Sequence, residues 1–122
     1  MRVLLVDDSK TMRGIQKSVL KQLGYTEIEE ACDGTDALSK VGVFKPDLLL
    51  VDWNMPNMDG LGFVKRFRAN NKDTPVIIVT TETERDRVVD AAKAGVNDFI
   101  VKPFTPDLLS ERISAVMSKR AA

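Results

Sequence analysis

Three runs of four consecutive apolar residues limit this chain most: Val3–Val6, Leu48–Val51 and Val76–Val79, reading VLLV, LLLV and VIIV. A strand with one wet face alternates apolar and polar residues. An unbroken apolar strand must be covered on both faces, as in the interior of a parallel sheet flanked by helices. The β-rich stretches around these runs extend to Arg2–Val6, Asp47–Val51 and Pro75–Thr80, and two more lie at Thr26–Ala31 and Asp98–Val101.

Helical periodicity fills the gaps. Met12, Ile15, Val19, Leu20 and Leu23 recur at helical spacing, between Ser9 as an N-cap and Gly24 as a stop. Ala37, Leu38 and Val41 follow the Asp33-Gly34 turn, and Leu61, Val64 and Phe67 follow Asp59-Gly60. Val88, Val89, Ala91 and Ala92 form a fourth helix stopped by Gly95. Leu109, Ile113, Val116 and Met117 form a fifth, with Thr105 at the N-cap and Pro106 at the first helical position. Five β-α units with short connections require right-handed crossovers. They predict a doubly wound α/β fold with a five-stranded parallel sheet and helices on both faces. With 122 residues and no linker or low-complexity segment, residues 1–122 are expected to form a single domain with no output domain attached. Apolar runs of four fall far short of the roughly 20 residues that a membrane helix needs, and no signal peptide is evident.

Composition removes whole classes of chemistry. There is no histidine, which excludes a histidine-containing hydrolytic triad and any histidine-ligated metal. One cysteine, Cys32, allows no intrachain disulfide and no thiolate zinc site, so a reducing cytoplasm fits. Eighteen basic and eighteen acidic residues cancel, removing the electrostatic case for nucleic-acid binding. What remains is carboxylate, hydroxyl and lysine chemistry, with a hard cation if a metal takes part.

In an open α/β sheet ligands bind beyond the carboxyl ends of the strands. Asp7 and Asp8 follow the first strand, Asp52 the third, Thr80 and Thr81 close the fourth, and Lys102 follows the fifth. Each alone is an ordinary turn former, β-former or surface charge. Together they are costly, since two carboxylates about 5 Å apart repel by about 3 kcal/mol at an effective dielectric of about 20. Either one acid stays protonated, or a cation such as Mg²⁺ joins the oxygen-only set. A carboxylate beside Mg²⁺ can act as a nucleophile toward phosphorus, with the ammonium neutralising the transferring group. No GxxxxGK[ST] or GxGxxG motif supports a nucleotide site. Acids after strand one would repel the FMN phosphate of a flavodoxin.

These residues resemble the receiver domain of two-component response regulators. The resemblance runs through Val6-Asp7-Asp8-Ser9, Val51-Asp52, Met55-Pro56, Asp59-Gly60, Val79-Thr80 and Lys102-Pro103-Phe104. The stretch from Asp52 to Gly60 is similar to the family's chemotaxis members. The resemblance implies strand order 2-1-3-4-5 and Asp52 as phosphoacceptor. It implies Mg²⁺ held by Asp8 and Asp52 directly, by Asp7 through water and by the backbone carbonyl of Asn54. Lys102 would pair with the phosphate, in a cis peptide with Pro103. Thr80 would follow the phosphate inward. Phe99 occupies the aromatic switch position, where the chemotaxis members carry Tyr; a plain core role in an edge strand is its other reading. Asn54 and Glu82 would tune phosphate loss. Ser9, Met12 and Arg13 could meet a phosphodonor or simply cap and solvate the first helix.

The resemblance further implies a cytoplasmic, monomeric signalling switch phosphorylated by a chemotaxis-type histidine kinase or a histidine phosphotransfer protein. A phosphatase could reset it. Its output face would include Thr83, Val88, Phe99, Val101 and Arg112 and would meet a target such as the flagellar motor switch, with no nucleic acid or membrane partner. The alternatives are a phosphorelay intermediate, an inert interaction module and an Asp-nucleophile phosphatase. The last lacks its second acid, since Asn54 stands there.

Overall fold

The computed structural model describes residues 1–81 and 85–121. Its elements alternate as β1 (Arg2–Val6), α1 (Lys10–Gln22), β2 (Glu27–Ala31), α2 (Gly34–Phe44), β3 (Leu48–Val51), α3 (Gly60–Asn70), β4 (Val76–Thr80), α4 (Arg85–Ala94), β5 (Asp98–Val101) and α5 (Pro106–Ala121). All strand pairs are parallel and the order is β2-β1-β3-β4-β5, as expected.

The unbroken apolar runs occupy the three interior strands, and each feeds two cores. Leu4, Val6, Leu49, Val51, Val76 and Ile78 face α2, α3 and α4. Val3, Leu5, Leu48, Leu50, Ile77 and Val79 face α1 and α5. Successive side chains point to opposite faces, so a strand covered twice has no polar position to spare. Burying each such side chain is worth about 1.5–3 kcal/mol. The edge strands β2 and β5 are only partly buried.

The strands start slightly later than the sequence predicts. Asp47 stays outside β3 as a clip: its carboxylate accepts from Arg2 N at 2.8 Å and its own N donates to Arg2 O at 2.7 Å. Pro75 has no N–H to give β4, though its carbonyl accepts from Leu49 N at 3.0 Å.

Two helix faces differ from the periodicity. On α1 the buried positions are Gln16, Val19 and Leu20, while Ile15 is exposed. On α4 Ala91 is buried and Val88 and Val89 lie outside. A small residue lets the helix sit close to the sheet, and the branched valines turn outward. The capping expectations hold. Ser9 Oγ accepts from Met12 N at 3.2 Å, and Thr105 Oγ1 from Leu108 N at 3.1 Å. Gly24 and Gly95 follow α1 and α4 at φ of 93° and 98°. No helix among the described residues is long and apolar enough to cross a membrane.

Candidate functional site

Strand order reverses between β1 and β3, and the acids stand beyond the carboxyl ends of those two strands. Val6 pairs with Val51, so Asp7 and Asp52 are brought side by side. The sheet's hydrogen bonding continues into both: Asp7 N donates to Ala31 O at 3.0 Å and Asp52 N to Val6 O at 2.8 Å. One oxygen each from Asp7, Asp8 and Asp52 lies within 4.8 Å of the others. Asp7 and Asp52 are buried and Asp8 is exposed, so the cluster opens to solvent on one side.

Lys102 arrives from β5. Its N donates to Thr80 O at 2.7 Å, and the Lys102–Pro103 peptide is cis. Its Nζ lies 2.9 Å from Asp7 Oδ2 and 3.6 Å from Asp52 Oδ2. The other Asp7 oxygen accepts from Ser9 N at 2.8 Å. Asp7 is therefore satisfied at both oxygens, and one ammonium faces three carboxylates. The surplus negative charge and the all-oxygen donor set fit a hard divalent cation.

Hydrogen bonds brace the loop that follows Asp52. Asp59 caps α3 by accepting from Gly62 N at 2.8 Å, and Gly60 N donates to Trp53 O at 2.8 Å. A Cβ on Gly60 would lie 2.3 Å from the Asp52 carbonyl oxygen, so only glycine lets the helix start so close. Gly34 N, at the start of α2, donates to Met58 O at 3.1 Å. Asn57 adopts φ of 67° and donates to Asp33 Oδ2 at 2.8 Å. The Asp36 backbone N–H and then the Asn57 amide hold the Asp33 carboxyl below its ordinary range. Sequence reasoning missed this brace. Its signal was Asn57 itself, a residue that tolerates left-handed backbone in a turn.

Thr80 is fully buried at the end of β4. It pairs with Val101 while Ile78 pairs with Phe99, so all four side chains share one sheet face. Phe99 is half-buried and packs on the core of that face. Its ring lies 6.4 Å from the buried Trp53 ring, tilted by 54°. The Arg87 guanidinium stands 5.6 Å from the Trp53 ring centre, a contact that no motif pointed to. Asn54 is exposed directly after Trp53. Arg13 is not a free surface charge, because it donates to the Asp7 carbonyl and pairs with Glu30 at 3.0 Å. Met12 is half-buried. Val88 and Val101 are exposed, and Arg112 binds both oxygens of Asp98 at 2.9 and 3.1 Å. Glu82 and Thr83 lie outside the described residues.

The class is that of a five-stranded doubly wound parallel sheet with three acids at its switch point and a lysine reaching across them. Residues 3–114 match the response regulator receiver domain, and the chain belongs to that family. It is 48% identical over 120 residues to the chemotaxis protein CheY1 of Helicobacter pylori, covering 96% of this chain and 97% of that one. It is 45% identical over 121 residues to the chemotaxis protein CheY of Pseudomonas aeruginosa, covering 98% of each. Among solved structures, chemotaxis regulator CheY4 of Vibrio cholerae superposes with a TM-score of 0.88 at 38% identity, over 94% of this chain and 97% of that one. A CheY-like receiver domain from Methanospirillum hungatei reaches 0.93 at 28% identity, over 98% and 95%.

Proposed function

We propose that the chain is a chemotaxis-type response regulator, switched by phosphorylation of Asp52 and passing its output to a bound partner in the cytoplasm. The observation that carries this reading is the convergence of Lys102 on Asp7 and Asp52 within a three-carboxylate cluster. Asp52 is the nucleophile: a carboxylate oxygen forms a bond to phosphorus as the bond to the donor's leaving group breaks. Residues 1–122 contain no histidine, so the phosphohistidine donor of this reading, a histidine kinase or phosphotransfer protein, lies outside them. Asp7, Asp8, Asp52 and the Asn54 carbonyl would hold Mg²⁺, which supplies positive charge opposite the phosphoryl oxygens. Lys102 adds its ammonium to the same oxygens, and Thr80 offers a hydroxyl from the neighbouring strand end. Asn54 and Glu82 set how fast water removes the phosphate.

The output surface is the face of α4, β5 and α5. On these elements Val88, Val89 and Val101 are exposed and Arg112 pairs with Asp98. The names of its relatives support a partner in the chemotaxis apparatus, and the flagellar motor switch is the target of this reading.

Intact-mass measurement tests the reading. Acetyl phosphate with Mg²⁺ adds one acid-labile phosphate to the wild type and none to Asp52→Asn. An unchanged label in that variant overturns the assignment.

A further inference from the structure

The helices run back from the carboxyl edge of the sheet, so the later turns of α3 and α4 lie toward the edge opposite the acid cluster. There they enclose an open groove of about 390 Å³. Lys65, Arg68 and Lys72 line one wall and Lys93 the other, with Asp90 as the one acid. Ala69 and Ala94 lie between them, and their small side chains leave the groove open. Four cations and one acid line the groove, and with Asp73 close enough to act on Arg68 the local balance remains positive, in a chain whose net charge is zero.

The four cations differ in role. Arg68 is committed to structure, donating to Gly95 O at 3.1 Å, Asn71 O at 3.2 Å and Asn97 Oδ1 at 3.1 Å. These bonds tie the end of α3 to the turn after α4 and hold the two walls in register. Lys65, Lys72 and Lys93 form no ion pair among the described residues, and in this they resemble Lys21, Lys45 and Lys119 elsewhere on the surface; what sets them apart is that they share one groove. Helix dipoles account for Arg68 and Lys93 in the last turns of α3 and α4. They do not account for Lys65 in mid-helix or for Lys72 beyond the helix end.

We propose that this groove docks an acidic segment of a partner protein, separately from the phosphorylation-dependent face. Lys65 stands five residues before the end of α3 at Asn70, about 7.5 Å along the helix axis, and Lys72 lies beyond that end, so the cations are spread more widely than one small anion spans. Several carboxylates along one acidic peptide segment match cations spread along that wall. The lining carries no aromatic side chain on which bases could stack and no large apolar side chain to enter a lipid layer. The Arg68 bonds pre-form the groove, so little ordering opposes docking.

The test is fluorescence polarisation of a labelled glutamate decamer with the unphosphorylated chain. Binding is expected at low salt, weakening about 10-fold or more between 50 and 300 mM NaCl. The triple variant Lys65→Glu, Lys72→Glu, Lys93→Glu should lose at least about 10-fold in affinity. The charge-matched variant Lys21→Glu, Lys45→Glu, Lys119→Glu should lose far less, and Asp52→Asn should bind like wild type. Arg68 is left intact in every variant, and unchanged melting checks the fold. Equal loss in the two triple variants, or no binding at low salt, overturns the proposal. Polyphosphate, duplex RNA or anionic vesicles binding more tightly than the peptide, with the same dependence on the three lysines, also overturns it.

Discussion

The ring of Phe99 lies 6.4 Å from the ring of Trp53, joining the edge strand β5 to the residue directly after Asp52. Arg87, from α4, stands 5.6 Å from the centre of the same indole. A change at Asp52 therefore has a short packed route to β5 and to the start of α4. Phe99 has no hydroxyl, so its link to Trp53 is a packing contact and not a hydrogen bond.

That route predicts what Trp53, the one tryptophan of the chain, will report. Beryllofluoride with Mg²⁺, which mimics the phosphorylated state, should change its emission. Thr80→Ala should still accept phosphate at Asp52, because Thr80 is not the nucleophile, yet the emission change should shrink. Phe99→Ala should alter the resting spectrum. A full wild-type response in Thr80→Ala would remove Thr80 from the relay.

The acids of the cluster should part company in stability. Asp8 is exposed among like charges, so Asp8→Ala should raise the melting temperature without metal and weaken Mg²⁺ binding. Asp7 is buried and holds both Lys102 and the Ser9 N–H. Asp7→Ala should cost about 2 kcal/mol, a fall of about 8 °C in Tm. Thermal melts in EDTA distinguish the two. A rise in both variants would mean that repulsion outweighs the Lys102 pair.

Asp33 should contribute to acid sensitivity. Its carboxyl is held below 3.8 in the fold, first by the Asp36 backbone N–H and then by Asn57. Such a group adds stability above its unfolded value, and that contribution is lost as pH falls through the folded one. Asp33→Asn keeps an accepting oxygen at the cap but no longer titrates. Its Tm should fall less than wild type between pH 6 and pH 3. Asp36, lowered chiefly by the Cys32 backbone N–H, remains in the variant, so part of the loss should persist. Identical acid profiles would show that Asp33 does not contribute.

Two glycines should respond oppositely to alanine. Gly60→Ala places a Cβ against the Asp52 backbone and should cost about 3 kcal/mol, with slower phosphorylation from a displaced loop. Gly42 lies in α2 with nothing within 4 Å of its Cβ position, and Gly42→Ala should gain about 0.5 kcal/mol. Urea denaturation of both variants checks the contrast.

Much of this protein could be read along the chain. Unbroken apolar runs specify strands covered on both faces, and the caps at Ser9 and Thr105 with the Asp-Gly pairs at Asp33 and Asp59 mark helix starts, because both signals are local. The acids and Lys102 could be placed at one edge because every strand of a parallel sheet ends on the same side. Tertiary structure decided what depends on distance across the fold. It settled that Lys102 pairs most closely with Asp7, 95 residues away, at 2.9 Å. It turned Ile15, Val88 and Val89 outward in favour of Gln16 and Ala91, because a helix face is chosen by how closely it can pack and not by hydrophobicity alone. It gathered Lys65, Arg68, Lys72 and Lys93 into one groove, though they are spread over two helices and the loop after α3. Periodicity describes one element at a time, and charges on separate elements meet only once the sheet has set the helices side by side.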